Sequence, residues 1–258
     1  MEIEVLYPLI FVVMPLAFIC ELVDSSLGMG YGTCLTPVLL LAGFEPLDIV
    51  PAVLFSEFIT GITAAFFHHS LQNANFKPNS QDTKVAIVLS CFAIIGMIVG
   101  VFLAVRLPAT VLKVWIGTVV VLMGILILGT LNRIPHFGWS KIAILGTVAS
   151  LNKGMSGGGY GPLVMGGQLL SGIGIKNAVG ITSLTEGIIC LVGIVLYCLS
   201  GAQINWLLTA CLMTGAVPSV PFAAHLLKRI PERNAKIAVG ITIITLGSLT
   251  LGKVIVST

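Results

Sequence analysis

Charge is scarce in this chain. Lysine, arginine, aspartate and glutamate together make up 9% of the 258 residues, whereas hydrophobic residues make up 57%. About a quarter of the residues in a soluble domain are charged, so this composition excludes an ordinary soluble enzyme or binding module. The net charge of +3 is small and does not indicate nucleic-acid binding. The composition instead predicts an all-α polytopic protein whose main partner is the lipid bilayer.

Paired cysteines and metal-binding motifs are also missing. The six cysteines form no CxxC motif and all lie in apolar stretches, so we interpret them as small hydrophobic residues rather than as a disulfide framework. No nucleophile–base arrangement and no cluster of metal ligands occurs, so the sequence predicts no catalytic residue, no metal and no cofactor. The N-terminal stretch lacks the basic segment of a signal peptide, and we expect it to be retained.

Long uncharged runs predict membrane-spanning helices. Residues 85–105 contain no charge, and residues 187–227 contain no Asp, Glu, Lys or Arg. The second run is long enough for two spans with a turn near residues 200–205. No stretch of the chain has the composition of a separate soluble domain.

The sequence contains two copies of one module. A shift of 129 residues aligns residues 28–57 with 157–186 without a gap, and a shift of 123 aligns the later parts because the second copy has a shorter loop. The first shift places Gly28, Gly30, Tyr31, Gly32 and Glu57 on Gly157, Gly159, Tyr160, Gly161 and Glu186; the second places Arg106, Pro108 and Lys113 on Arg229, Pro231 and Lys236. Chance similarity between apolar helices would not match Arg, Glu and Pro in register. We therefore predict a first transmembrane repeat at 1–131 and a second at 132–258.

Each copy has the same parts. An apolar stretch broken by a glycine-rich segment comes first, and three long apolar segments follow. In the first copy these parts are 5–24, 33–43, 47–67, 85–105 and 110–131. In the second copy they are 140–152, 161–172, 177–199, 204–227 and 235–256.

The distribution of Lys and Arg favours inverted repeats. If each broken stretch leaves and returns on one side of the membrane, as a hairpin does, the repeats are inverted and the basic residues outside the breaks divide nine to three. If each broken stretch crosses once, the repeats are parallel and the division is seven to five. The positive-inside rule therefore predicts inverted repeats in an inner-membrane protein, with the 68–84 loop in the cytoplasm. The larger group is Lys77, Lys84, Arg133, Lys141, Lys176, Lys228, Arg229, Arg233 and Lys236.

The two glycine-rich breaks are the strongest local signal. Glycine lets the backbone leave the helix and approach a ligand, and the free N–H groups at the start of the following half-helix favour an anion. Paired breaks in two halves of a membrane protein indicate a transport site. Close helix packing through small residues is the alternative interpretation. The candidate substrate-binding residues are Gly28, Gly30, Tyr31, Gly32, Thr33, Asn152, Lys153, Ser156, Gly157, Gly158, Gly159, Tyr160 and Gly161.

Four charged residues lie in or beside the predicted spans, where charge is costly and often functional. Asp24 aligns with Lys153, so the charge reverses at equivalent positions of the two copies. Lys153 is expected to pair either with an anionic substrate or with Asp24. Glu57 and Glu186 occupy equivalent positions and have two candidate roles: they carry coupled protons, or they hydrogen-bond the broken backbone.

Polar and aromatic residues near span ends suggest structural roles. His68 and His69 end a predicted span and are expected to form a solvated helix end. Trp115, Trp139, Trp206 and Tyr197 lie toward span ends and fit an aromatic belt at the membrane surface.

The breaks and the duplicated layout resemble the sulfite exporter TauE/SafE family, also called the 4-toluene sulfonate uptake permease family. The stretches that carry the resemblance are VDSSLGMGYGTCLTPVLLLAGF, LNKGMSGGGYGPLVMGGQLLSG, IVPAVLFSEFITG and AVGITSLTEGIIC. Met29 and Tyr31 interrupt the glycine run that is commoner in the first break of that family. The resemblance covers essentially the whole chain and implies a permease for sulfite, sulfonates or related anions.

The sequence thus favours a secondary transporter of a small anion, with coupled protons or ions as further candidate partners. An anion channel with the same pore lining is the alternative. A membrane-embedded enzyme or sensor is a third hypothesis, and the lack of a catalytic arrangement argues against it.

Overall fold

The computed structural model describes residues 3–129, 138–227 and 232–257. This part of the chain is helical, without strands, and contains eleven helices. The stretch predicted as the first repeat contains α1 (Ile3–Leu27), α2 (Tyr31–Leu41), α3 (Pro46–Ser70), α4 (Gln81–Arg106) and α5 (Ala109–Gly129). The stretch predicted as the second repeat contains α6 (Trp139–Ser156), α7 (Tyr160–Leu170), α8 (Ile175–Leu199), α9 (Trp206–Ala216), α10 (Ser219–Leu226) and α11 (Glu232–Ser257).

Every apolar segment predicted from the sequence contains a helix. One predicted span contains two helices rather than one. The span predicted at 204–227 is divided into α9 and α10, which are bent by 41° relative to each other. Pro218 lies at the N-cap of α10 and has no N–H to continue the α9 hydrogen-bond ladder. The predicted boundary between the repeats, at residues 131 and 132, lies outside the described residues.

Within the described ranges, five helices are long and apolar enough to cross a membrane, and α9 with α10 forms a sixth candidate span. Their outer faces carry large apolar side chains such as Ile98 and Phe102, about half of whose surface is exposed. An exposed apolar belt of this extent is unstable in water and stable against lipid tails. The protein is therefore a multi-pass membrane protein.

Two pairs of equivalent helices, α3 with α8 and α5 with α11, pack against each other. In the α3–α8 pair, Leu54 lies against Gly193, Gly61 against Gly187, and His68 against Gly180. As residue numbers increase along α3, the numbers of the residues that they contact on α8 decrease. The two helices therefore run antiparallel. The α5–α11 pair follows the same pattern, because Gly117 meets Leu251 whereas Gly124 meets Ile244.

The first broken stretch folds back on itself. The Ser25 carbonyl, in the last turns of α1, lies 3.0 Å from His68 Nε2 at the far end of α3. Helix α2 ends at Leu41, and four residues separate it from the start of α3 at Pro46. Helix α2 therefore returns toward the start of α3, and Lys253 of α11 meets it there by donating to the Leu41 carbonyl at 2.9 Å.

Candidate functional site

The first break lies between α1 and α2, and its backbone requires glycine. Gly28 and Gly30 have φ angles of 69° and 137°, which L side chains rarely adopt. Helix α2 then begins at Tyr31, whose N–H donates to Asp24 Oδ1 at 3.1 Å. Asp24 therefore satisfies the N-terminus of the half-helix that follows it.

The second break repeats this geometry between α6 and α7. Gly157 and Gly159 have φ angles of 70° and 78°. Asn152 holds the break in place, because its Nδ2 donates to the Gly158 carbonyl at 2.9 Å and its Oδ1 accepts from Trp115 Nε1 at 3.0 Å. The Ser156 hydroxyl donates to the Asn152 carbonyl at 2.9 Å. Asn152 and Ser156 thus fix the local backbone.

The two breaks lie against each other. A Cβ added at Gly32 would overlap the Gly157 carbonyl oxygen, and one added at Gly161 would approach the Gly28 carbonyl oxygen. These two contacts are equivalent under the repeat, since Gly161 aligns with Gly32 and Gly157 with Gly28. The Gly159 N–H also donates to Thr33 Oγ1 at 3.0 Å. The residues predicted as one site therefore lie together, and their glycines make the close backbone contact.

Lys153 lies beside the breaks and is completely buried. Its Nζ donates to Glu57 Oε2 at 2.5 Å and to Glu186 Oε1 at 2.6 Å. Both carboxylates are also buried, with side-chain exposures of 4% and 5%. We call Lys153, Glu57 and Glu186 the buried triad. It joins α6 to the middle of α3 and of α8.

The expected pairing of Lys153 with Asp24 is wrong. The two positions are equivalent in sequence, but Asp24 binds the start of α2 whereas Lys153 reaches the glutamates of the two central helices. The Asp24 carboxylate thus already accepts a hydrogen bond from the backbone of its own repeat. The two glutamates, which are also equivalent in sequence, converge because α3 and α8 pack together.

Glu57 and Glu186 differ in their contacts. Glu57 Oε1 accepts from the Gly32 N–H at 3.3 Å, and the Cys190 thiol donates to Glu57 Oε2 at 3.8 Å. Among the described residues, Lys153 is the hydrogen-bond partner of Glu186. Of the two roles considered for these glutamates, Glu57 shows a hydrogen bond to the broken backbone, within its own repeat, whereas Glu186 bonds to the lysine.

The two half-helix starts consequently differ in charge. At the start of α2, the N–H groups of Tyr31 and Gly32 donate to the carboxylates of Asp24 and Glu57. At the start of α7, no described residue accepts from the N–H of Tyr160 or of Gly161. The first half-helix is thus capped by negative charge of the protein itself, and the second is not.

Both tyrosines of the breaks are fully buried. The hydroxyl of Tyr31 shares a hydrogen bond of 2.8 Å with Ser56 Oγ on α3. Tyr31, a candidate substrate-binding residue, is therefore held by its hydroxyl as well as by its backbone.

Sequence reasoning missed one buried carboxylate and misplaced two other residues. Glu21 lies one turn before Asp24 and accepts from the Ser25 hydroxyl at 2.5 Å; its place within an apolar stretch was an available signal. His68 is buried, because the 71–76 loop folds over it and Asn73 Nδ2 donates to its Nδ1 at 3.1 Å, so it is not a solvated helix end. Tyr197 is also buried, donating to the Gly154 carbonyl at 2.6 Å, and is not part of an aromatic belt.

The sequence profile described as "Sulfite exporter TauE/SafE" matches residues 13–250, which include both breaks and the whole triad. The chain belongs to this family. A curated relative, "Probable membrane transporter protein YtnM" of Bacillus subtilis (strain 168), is 27% identical over 249 residues, which span 92% of this chain and 80% of the relative. No solved structure matches significantly. The TauE/SafE chain described here is therefore a multi-pass membrane transporter.

Proposed function

We propose that this TauE/SafE protein is a secondary transporter of a small oxyanion, with sulfite and organosulfonates as its substrate class. The observation that most supports this proposal is a fully buried lysine, Lys153, beside two facing helix breaks in a membrane protein. A buried cation attracts an anion strongly, since charges in a low-dielectric interior are weakly screened. The family description supplies the sulfur oxyanion, and the sequence alone does not choose among its members.

The substrate site is placed at the start of α7. In the described part of the chain no carboxylate accepts from the Tyr160 or Gly161 N–H, whereas the equivalent groups of α2 already donate to Asp24 and Glu57. Free N–H groups and the helix dipole favour an anion at such a start. The remaining break residues shape the site by bringing the two backbones together, and Lys153 supplies the full positive charge.

The two repeats are proposed to be inverted in the membrane. The support is the antiparallel packing of α3 on α8 and of α5 on α11, since each pair consists of equivalent helices. The 68–84 loop is placed in the cytoplasm by the excess of basic residues on its side. Three residues of that charge count, Arg133, Lys228 and Arg229, lie outside the described residues.

Alternating access is favoured over a channel by the contact between the breaks. Gly32 lies against the Gly157 carbonyl and Gly161 against Gly28, so backbone closes the middle of the protein. An anion passes only when these contacts separate. Inverted repeats provide two related arrangements for such a movement, one open to each side.

Flux in proteoliposomes tests the proposal. We expect saturable uptake of radiolabelled sulfite or methanesulfonate, with counterflow when the vesicles are preloaded with the same anion. Flux that rises linearly with concentration and shows no counterflow would indicate a channel. A thermal-shift series with sulfite, thiosulfate, taurine, sulfoacetate and phosphate identifies the preferred substrate, and the absence of both stabilisation and flux would contradict the proposed class.

A further inference from the structure

The buried triad carries an unbalanced charge. One lysine cation contacts two carboxylates, so the group has one net negative charge when all three side chains are ionised. All three side chains are buried, with exposures of 5% or less. Adding a substrate anion to such a group would bring a second uncompensated negative charge into a region where charge repulsion is weakly screened. Binding therefore requires that a carboxylate be neutralised.

The donors around the two glutamates indicate which one is neutralised. Glu57 has three donors, namely Lys153 Nζ, the Gly32 N–H and the Cys190 thiol, all of which stabilise an ionised carboxylate. In the described part of the chain Glu186 receives a hydrogen bond from Lys153 Nζ. Protonating Glu186 frees one N–H of Lys153 and leaves the supports of Glu57 in place.

We propose that each monoanion travels with one proton and that Glu186 carries this proton. This inference rests on the proposed anion transport. In the empty transporter Glu186 is ionised and bonded to Lys153. When the substrate binds, a proton moves onto the Glu186 carboxylate and the anion replaces it as the second partner of Lys153. The net charge of the site is the same before and after binding, so the transport step is electroneutral.

Other titratable side chains surround the triad on the helices that pack against it. They belong to α1, α2, α7 and α8 and are Glu21, Asp24, Tyr31, Tyr160 and Cys190. Asp24 is the strongest competitor for the proton, because its charge interacts with those of Glu186 and Lys153. Its carboxylate, however, accepts the Tyr31 N–H and thereby caps α2. Neutralising Asp24 would uncap α2 without freeing Lys153.

Methanesulfonate is the probe, because it stays a monoanion at every pH used and contributes no proton of its own. In proteoliposomes with the wild-type protein, we expect a pH gradient to drive its uptake and a membrane potential alone to drive none. An external pH dye should register one proton removed per anion taken up. The apparent dissociation constant should rise about tenfold per pH unit over the range in which Glu186 is ionised, since one proton is bound with each anion.

Glu186→Gln mimics the protonated carboxyl group and should remove the coupling. We expect this variant to bind methanesulfonate with a dissociation constant that is independent of pH, and to move no protons. Glu45→Gln is the matched control, because Glu45 pairs with Lys113 at an exposed position; its coupling should equal that of the wild type. If Glu186→Gln does not fold, the wild-type pH dependence and voltage independence still test the proposal.

Three results would overturn the inference. Saturable wild-type uptake driven by voltage without proton movement would show that the anion travels alone. Proton uptake that persists in Glu186→Gln and vanishes in Asp24→Asn would transfer the role to Asp24. No flux of either methanesulfonate or sulfite would defeat the proposed function itself and, with it, this inference.

Discussion

Thr33 Oγ1 accepts a hydrogen bond from the Gly159 N–H at 3.0 Å, and this contact joins the two breaks of the chain across 126 positions of sequence. It is the one place where a side chain of the first break satisfies the backbone of the second among the described residues. Both groups are buried, so water does not compensate for its loss. The contact therefore contributes to holding the breaks together in the closed arrangement.

Thr33→Val should destabilise the protein. Valine has nearly the same shape but leaves the Gly159 N–H without an acceptor, which costs about 1–3 kcal/mol. The measurement is the thermal unfolding temperature in detergent. Thr36→Val on the same helix is the matched control, because the buried Thr36 hydroxyl has no hydrogen-bond partner among the residues that the structure describes; this change should be neutral or stabilising. Equal destabilisation by the two variants would contradict a specific role for Thr33.

Gly32→Ala should also destabilise the closed arrangement. Its Cβ would overlap the Gly157 carbonyl oxygen, and backbone cannot move aside as a flexible side chain can. Overpacking of this kind costs about 1–3 kcal/mol. We therefore expect a lower unfolding temperature together with reduced anion flux.

Gly166→Ala provides the control for that substitution. Gly166 lies inside α7 at a cavity of about 410 Å³, and apart from the surrounding backbone of α7 itself no described atom lies within 4 Å of the added Cβ. Alanine should stabilise the helix by about 0.5–1 kcal/mol. Wild-type stability of Gly32→Ala would mean that the breaks do not touch as described.

The helices were largely predictable from the sequence, because an uncharged run of about 20 residues has few alternatives to a membrane span. The glycine-rich breaks were predictable for a similar reason, since both repeats keep them in register. The separation of α9 from α10 was harder to predict from the sequence. The residues before and after Pro218 are both apolar, so composition does not mark the bend.

The partner of Lys153 could not be predicted from the alignment of the repeats. Alignment shows that Asp24 and Lys153 occupy equivalent positions, and equivalent positions touch only where the two repeats meet. Glu57 and Glu186 satisfy that condition because they lie on α3 and α8, which pack together. The burial of His68 was hidden for another reason, since it depends on how the loop at 71–76 folds over the helix end.

Cysteine labelling should place the two ends of α3 on opposite sides of the membrane. Lys77→Cys tests the loop after α3, and it is preferable to a cysteine at Asn79, whose φ of 67° strains most side chains. Glu45→Cys tests the loop before α3. In a cysteine-free background and intact cells, we expect a membrane-impermeant thiol reagent to label position 45 promptly and position 77 only after permeabilisation. The opposite pattern would reverse the orientation of the protein, and equal labelling of both positions in intact cells would refute the α3 crossing.

Lys153→Met should fold poorly, because it leaves the carboxylates of Glu57 and Glu186 buried without their cation. Removing one partner from a buried ion pair costs about 3–5 kcal/mol, whereas replacing every charged member by neutral groups costs little. The triple variant Lys153→Met, Glu57→Gln, Glu186→Gln should therefore recover an unfolding temperature near that of the wild type.

The same triple variant separates a structural triad from a substrate-binding one. If Lys153 serves only to hold α3, α6 and α8 together, the neutral triple variant should transport methanesulfonate nearly as well as the wild type. If Lys153 supplies the positive charge for the anion, the variant should fold and yet show flux close to that of empty vesicles. Restoring the Lys153–Glu57 ion pair in that background, as Glu186→Gln alone, separates the loss of the lysine from the loss of Glu186: this variant keeps the buried cation paired and should bind methanesulfonate with little dependence on pH. Near-normal flux in the triple variant would defeat the substrate role of Lys153, because the site would then carry anions without the one buried cation that the triad provides.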